Sequence, residues 1–276
     1  MSPYFASVPP NRTWKHFQVE VREGVCILTF GRPERLNALT FDIYADLRDF
    51  FMELPKRSDE IRVVILRGEG KAFCSGGDVH DIIASLVEMD GKEQLAFTRM
   101  TCKVIEVMRN LPIPIIAEIG GIAAGAGAVL AIASDFRILS TRGRFAFLFT
   151  KVGLSGGDMG AAYLLPRLIG LSRATELLML GDKVDAETAL RIGLAHKVVP
   201  PEELGQATME LAARLANGPT EAYAATKSSL QREQDMDLVS ALELDSYAQA
   251  HLMRGKDFAE FHRAFSNKEE PKWTGE

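Results

Sequence analysis

The chain has 276 residues, 47% of them hydrophobic and 25% charged, with a net charge of −5. That size suits one large domain or a domain with an appendage, the balance is that of an ordinary globular protein, and the acidic total excludes a broad basic surface for nucleic acid. Cys26, Cys74 and Cys102 are odd in number and widely spaced, which argues against a disulfide framework and for a reducing compartment. The five histidines and these cysteines show no metal-ligand spacing. Met1-Ser2-Pro3-Tyr4-Phe5 lacks the basic-then-apolar order of a secretory signal, so a cytoplasmic location is expected. The apolar stretch from Ile113 to Ala133 is broken by prolines, glycines and Glu118, which makes it a poor membrane span.

In chain order, Phe17 to Val21 and Val25 to Phe30 flank Arg22-Glu23-Gly24 and read as a hairpin. Ile43, Leu47, Phe50, Phe51 and Leu54 then fall on one helical face, with Thr40 placed to cap the helix. Ile61 to Leu66 is a strand of the buried type. Met100, Val104, Val107, Met108 and Leu111 mark a second amphipathic helix, ended by Pro112 and Pro114. Ile115 to Ile119 is the next strand, a helix of small residues runs to about Ala133, and Phe136 to Leu139 is a strand again. This alternation predicts an α/β core. Beyond Leu164 strands are hard to find, apart from a short one at His196 to Pro200. From Pro201 the pattern is helical. The expected division is a core over 1–200 and a helical region over 201–276.

Two glycine-rich segments interrupt the alternation: Lys71-Ala72-Phe73-Cys74-Ser75-Gly76-Gly77-Asp78 and Gly120-Gly121-Ile122-Ala123-Ala124-Gly125-Ala126-Gly127-Ala128. Each lies between a strand-like run and a possible helix. Side chains this small let a ligand approach the main chain, and amides at a helix start can donate to an anionic oxygen. Two such amides aimed at one oxygen would form an oxyanion hole. Taken singly, each segment also fits a tight turn with close packing.

The order of the motifs resembles the crotonase superfamily, the enoyl-CoA hydratase/isomerase family. Arg32-Pro33-Glu34-Arg35-Leu36-Asn37-Ala38-Leu39 is similar to its first signature, and the two glycine-rich segments to its oxyanion segments. Ser134-Asp135-Phe136-Arg137, Gly193-Leu194-Ala195 and Ala264-Phe265-Ser266-Asn267-Lys268 are similar to later stretches. The resemblance implies a spiral of ββα units with a C-terminal helical trimerisation region, and a homotrimer or homohexamer. It implies an acyl-CoA substrate, no metal and no separate cofactor. It places the oxyanion amides on Gly77 and Ala126. It places contacts to CoA or substrate at Arg35, Leu36, Ser75, Gly76, Asp78, Val79, Gly125, Phe149 and Lys268, with Arg35 and Lys268 suited to phosphate.

The resemblance also locates a departure. Hydratases of that family use two glutamates, and the corresponding positions here are Val129 and Phe149, which cannot move protons. Asp158, in Gly156-Gly157-Asp158-Met159-Gly160, is the remaining candidate acid/base. The loop resembles that of dienoyl-CoA isomerases but is one residue longer. The alternative role for Asp158 is a cap on the helix starting near Gly160. Glu118 is a weaker candidate, Cys74 reads as a packed thiol, and His196, His251 and His262 read as surface or interface residues. Phe145, Phe147 and Phe149 suggest either an apolar pocket or core packing. The expected function is chemistry on an acyl-CoA thioester through an oxyanion-stabilised enolate, as a hydratase or isomerase. The alternatives are a thioester hydrolase or C–C cleaving member, and a catalytically weak CoA-binding assembly subunit.

Overall fold

The computed structural model describes residues 14–276, so the reading of Met1 to Phe5 lies outside the described residues. The chain opens with β1 (Phe17–Arg22) and β2 (Val25–Phe30), an antiparallel hairpin with Phe17 opposite Phe30. Next come α1 (Phe41–Glu53), β3 (Val63–Gly68), β4 (Ala72–Cys74), α2 (Ala84–Glu88) and α3 (Gly91–Asn110). They are followed by β5 (Ile115–Ile119), β6 (Ile122–Ala124), α4 (Ala126–Ala133), β7 (Phe136–Ser140), β8 (Arg144–Ala146), α5 (Ala161–Ile169) and α6 (Leu171–Leu180). The rest is β9 (Lys183–Asp185), α7 (Ala186–Arg191), β10 (Lys197–Val199), α8 (Leu204–Ala216), α9 (Thr220–Arg232), α10 (Leu238–Leu252) and α11 (Lys256–Asn267).

Three successive repeats build the core. Each sends its first strand (β3, β5, β7) into a six-stranded sheet of order β1-β2-β3-β5-β7-β10. Its second strand (β4, β6, β8) enters a four-stranded sheet of order β4-β6-β8-β9. The helices then return the chain to the start of the next repeat. This is the ββα spiral that the resemblance implies. The four-stranded sheet was not expected. Its strands have only three residues each, too few to show a period of two, and β9 lies in the region read as lacking strands.

The large sheet is buried on both faces. Val64 and Leu66 point into the main core with Leu47, Phe51 and Phe73, while Val63 and Ile65 point to a second cluster with Ile116, Leu204 and Leu215. An unbroken apolar run such as Val63-Val64-Ile65-Leu66 is what a parallel strand covered on both sides requires. The cover on the second face is α8. On the first face, α1 buries Ile43, Tyr44, Leu47, Phe50 and Phe51, and the Thr40 side chain accepts from the Ile43 N–H as expected. α3 starts in a capping box between Asp90 and Glu93, nine residues earlier than the apolar spacing indicates.

The feature that positions the site is the parallel pairing of β4 with β6, Ala72 opposite Ile122 and Cys74 opposite Ala123. It sets the two glycine-rich segments side by side and pointing the same way, so both leave the sheet at one end. The approach is very close. A Cβ on Gly121 would lie 1.9 Å from the carbonyl oxygen of Lys71, and one on Gly127 would lie 2.2 Å from that of Cys74. Gly205, near the start of α8, faces open space. Gly121→Ala is therefore expected to lower stability by about 3 kcal/mol, whereas Gly205→Ala raises it by up to about 1 kcal/mol. Thermal unfolding of the two variants checks this, and equal midpoints would contradict the packing argument.

Candidate active site

Gly77 forms a single parallel bridge with Leu39. The Leu39 N–H donates to the Gly76 carbonyl, and the Asp78 N–H donates to the Leu39 carbonyl. That pattern turns the Gly77 N–H to the opposite side. Ala126 is the first residue of α4, where N–H groups have no intrahelical acceptor. Among the described residues, neither amide donates to a protein acceptor. Both residues line one cavity of about 670 Å³. The start of α4 adds positive potential there, and every residue of the helix is buried, so little water screens it.

Most of the cavity wall is apolar: Val79, Ile82, Leu86, Phe97, Phe149, Leu154 and Met159. Asp158 is the one carboxylate among the lining residues. Its loop is held down where Gly156 packs against the backbone of Leu178, leaving no room for a Cβ. Directly after Asp158, Met159 and Gly160 take left-handed conformations. Asp158 is half-buried, and its Oδ1 accepts only from the Met159 N–H, at 2.8 Å. Burial pushes its carboxyl above the ordinary value, and the Met159 amide offsets part of that. The capping alternative is not realised: Gly160 takes the cap position of α5, without a side-chain bond.

Ser75, Gly76, Gly77, Val79, Gly125, Ala126, Phe149 and Asp158 all line this cavity. Arg35, Leu36, Asp78 and Lys268 do not. Arg35 and Leu36 act through their carbonyls, which accept from the hydroxyl and the N–H of Ser75. Leu36 also borders a second cleft, which shares Ser75 and Leu148 with the cavity and carries Lys71, Arg142, Arg144 and Lys183. Lys268 is an exposed residue ending α11 in a left-handed turn.

Asp78 is held within the fold. Its carboxylate accepts from the N–H groups of His80 and Asp81 and pairs with Arg32 at 3.1 Å. Burial would push its carboxyl up, but the Asp81 and His80 amides and the Arg32 guanidinium outweigh it and hold the group below the ordinary value. The residue is thus committed to holding the chain as it leaves Gly77.

The weaker candidates also separate. Glu118 borders the second cleft, away from Asp158. Cys74 is fully buried, its thiol pushed up to about 12, which fits a packed thiol. His196 accepts from the Arg137 N–H through Nδ1, while His251 and His262 are exposed. Phe145 and Phe147 are fully buried core and only Phe149 reaches the cavity. Among the described residues no acidic, histidine or cysteine cluster could hold a metal ion. No helix there is long and apolar enough to cross a membrane. Tyr44 is among the cavity residues that escaped the sequence reading, as are Gln94, Thr98 and Thr101. Tyr44 sits on the apolar stripe of α1, and only its hydroxyl distinguishes it from a core position.

Residues 20–276 match the family described as enoyl-CoA hydratase/isomerase. The chain belongs to the enoyl-CoA hydratase/isomerase family. It is 34% identical to the 1,2-epoxyphenylacetyl-CoA isomerase of Escherichia coli over 92% of this chain and 97% of that one. It is 32% identical to the trans-2-decenoyl-[acyl-carrier-protein] isomerase of Streptococcus mutans, over 95% and 99%. A crystal structure from Streptomyces coelicolor A3(2), assigned to the enoyl-CoA hydratases, is 54% identical with a TM-score of 0.97 over the whole of both chains. This family member is thus an enzyme of the crotonase fold, in a family of lyases and isomerases that act on CoA thioesters.

The two aspartates make opposite predictions for stability against pH. Asp78 has a lowered folded value, so its contribution is present above the ordinary carboxylate value and lost as pH falls through the folded one. Asp158 has a raised folded value, so its ionised form costs stability. That cost is absent in acid and complete once pH exceeds the raised value. At neutral pH, Asp158→Asn is expected to raise the unfolding midpoint, and the gain vanishes near pH 3. Asp78→Asn is expected to cost about 2 kcal/mol at neutral pH and progressively less in acid. Melting curves between about pH 3 and pH 8 test both signs.

Proposed function

We propose that the cavity takes the acyl end of a CoA thioester, with its carbonyl oxygen between the Gly77 and Ala126 amides, and that the enzyme isomerises a carbon–carbon double bond. Supporting this is the conjunction of two unpartnered amides with a single carboxylate in a mostly apolar cavity. Removing a proton from the α-carbon moves negative charge onto the thioester oxygen, where two preorganised donors contribute roughly 3 kcal/mol each. In a 3-enoyl thioester, ionised Asp158 takes the C2 proton, the electron pair spreads into a dienolate, and the same carboxyl returns the proton to C4. The product is the 2-enoyl thioester. No water or second acid is consumed, so one carboxyl suffices. The second cleft, with Lys71, Arg142, Arg144 and Lys183, suits the phosphates of the CoA, and Arg35 and Lys268 are further cations for that end.

Hydration makes a different demand. One group must deprotonate water and another must protonate the α-carbon. Val129 is buried in α4, and Phe149 offers no proton. The names of the isomerase relatives point the same way. Hydration of crotonyl-CoA is expected to run at least about 100-fold below the isomerisation of the best 3-enoyl-CoA. Asp158→Asn should cut isomerisation by about 10²- to 10⁴-fold and leave CoA-thioester affinity nearly unchanged. Steady-state kinetics decide: rapid crotonyl-CoA hydration that survives Asp158→Asn would sink the assignment.

We propose further that the enzyme assembles as a trimer or a pair of trimers. Leu238, Val239 and Phe265, on α10 and α11, are 72%, 76% and 74% exposed, more apolar surface than a lone chain is expected to leave in water. Light scattering should give three or six chains per particle at micromolar concentration, and a monomer there would rule it out.

A further inference from the structure

Tyr44 is 3% exposed and lines the cavity. A buried tyrosine hydroxyl normally finds a hydrogen-bond partner. This one makes none among the described residues, although its backbone N–H is bound to the Thr40 carbonyl in the ordinary helical way. Its position is fixed from both sides. The ring lies edge-on to Phe97 at 5.8 Å between centroids. The hydroxyl lies 3.8 Å from where a Cβ on Gly77 would be, as does Cδ1 of Ile82. A Cβ projects from the face of an extended segment, out of the plane in which the N–H points. The hydroxyl therefore flanks the Gly77 amide and does not oppose it. An acyl chain leaving a carbonyl held at that amide would run past the hydroxyl.

We propose that Tyr44 is a specificity-determining hydrogen-bond donor, recognising an oxygen borne on one of the first carbons beyond the thioester of an otherwise apolar acyl group. This rests on the thioester reading of the cavity. The carbonyl oxygen already has two donors there, and Asp158 is reserved for proton transfer. Burial, with Cys74 and Asp158 nearby, holds the phenol well above its ordinary value. Tyr44 thus stays protonated at neutral pH and donates rather than acting as a base. A hydroxyl or keto oxygen completes its hydrogen bonding, whereas a plain alkyl chain displaces water from it and leaves it unpaired.

The test is calorimetric binding of octanoyl-CoA, 2-hydroxyoctanoyl-CoA and 3-hydroxyoctanoyl-CoA to the full-length protein and to Tyr44→Phe. The native protein should bind one hydroxylated ligand about tenfold more tightly than octanoyl-CoA. Tyr44→Phe keeps the ring and its packing, so it should abolish that preference and leave octanoyl-CoA affinity within about twofold. Equal affinity of the native protein for all three, or an equal loss for all three in Tyr44→Phe, would overturn the role of Tyr44 and leave the thioester site standing. Binding of none of them would overturn the thioester reading itself.

Discussion

The passage of two main-chain segments at contact distance is the constraint on which the site depends. β4 and β6 are neighbours in a parallel sheet, and at each end a glycine on the second segment meets a carbonyl of the first: Gly121 against Lys71, Gly127 against Cys74. Any side chain at those two points would push the strands apart. The consequence reaches the chemistry because the two unpartnered amides, at Gly77 and Ala126, follow directly from these strands. An oxyanion site needs its donors fixed before the charge develops. The Gly77 and Ala126 amides proposed for that role are fixed by strand pairing and by a helix start, and both belong to the backbone, so no side-chain rotamer has to be frozen to aim them.

Electrostatics then divides the two aspartates. Asp78 meets two amides and a guanidinium and is held in its ionised form. Asp158 meets one amide and an apolar wall and is pushed toward its neutral form. The first environment stabilises the fold, and the second costs stability. An unfavourable placement of this kind is expected where a group is kept for proton transfer, because a carboxylate with a raised pKa is the stronger base once ionised. The same wall leaves the Tyr44 hydroxyl without a partner. The cavity thus brings together two N–H donors, one carboxyl and one phenol.

Much of this was legible in the sequence, for identifiable reasons. The strands of the large sheet are five or six residues long, apart from the three-residue β10, with β2, β3 and β5 largely apolar and β1 alternating, and α1 and α3 carry both an apolar stripe and a side-chain cap. The glycine-rich segments stand out because only very small residues permit their approach. The small sheet was not legible, since three-residue strands such as Ala72–Cys74 and Ile122–Ala124 look like parts of the glycine-rich segments that contain them. The pairing of Asp78 with Arg32 was not legible, because the two lie 46 positions apart in the chain. Tyr44 was hidden by its surroundings. On the apolar face of α1 it is indistinguishable from Ile43 or Leu47 until the cavity beside Gly77 is located.

The absence of both hydratase glutamates therefore need not mean a weakened site. A glutamate at position 129 would lie on a helix every residue of which is buried, and one at 149 would stand on a mostly apolar cavity wall. Either would require water or a partner to offset its desolvation. With Val129 buried in α4 and Phe149 on the cavity wall, neither position carries a proton, and burial raises the carboxyl of Asp158. A double-bond shift accommodates both features. It needs a charge-stabilised oxygen, a single carboxyl able to reach two carbons, and no solvent to capture the proton in transit. On the proposed reading, the residues at 129 and 149 that leave hydration without its two proton carriers are compatible with moving a proton within the substrate.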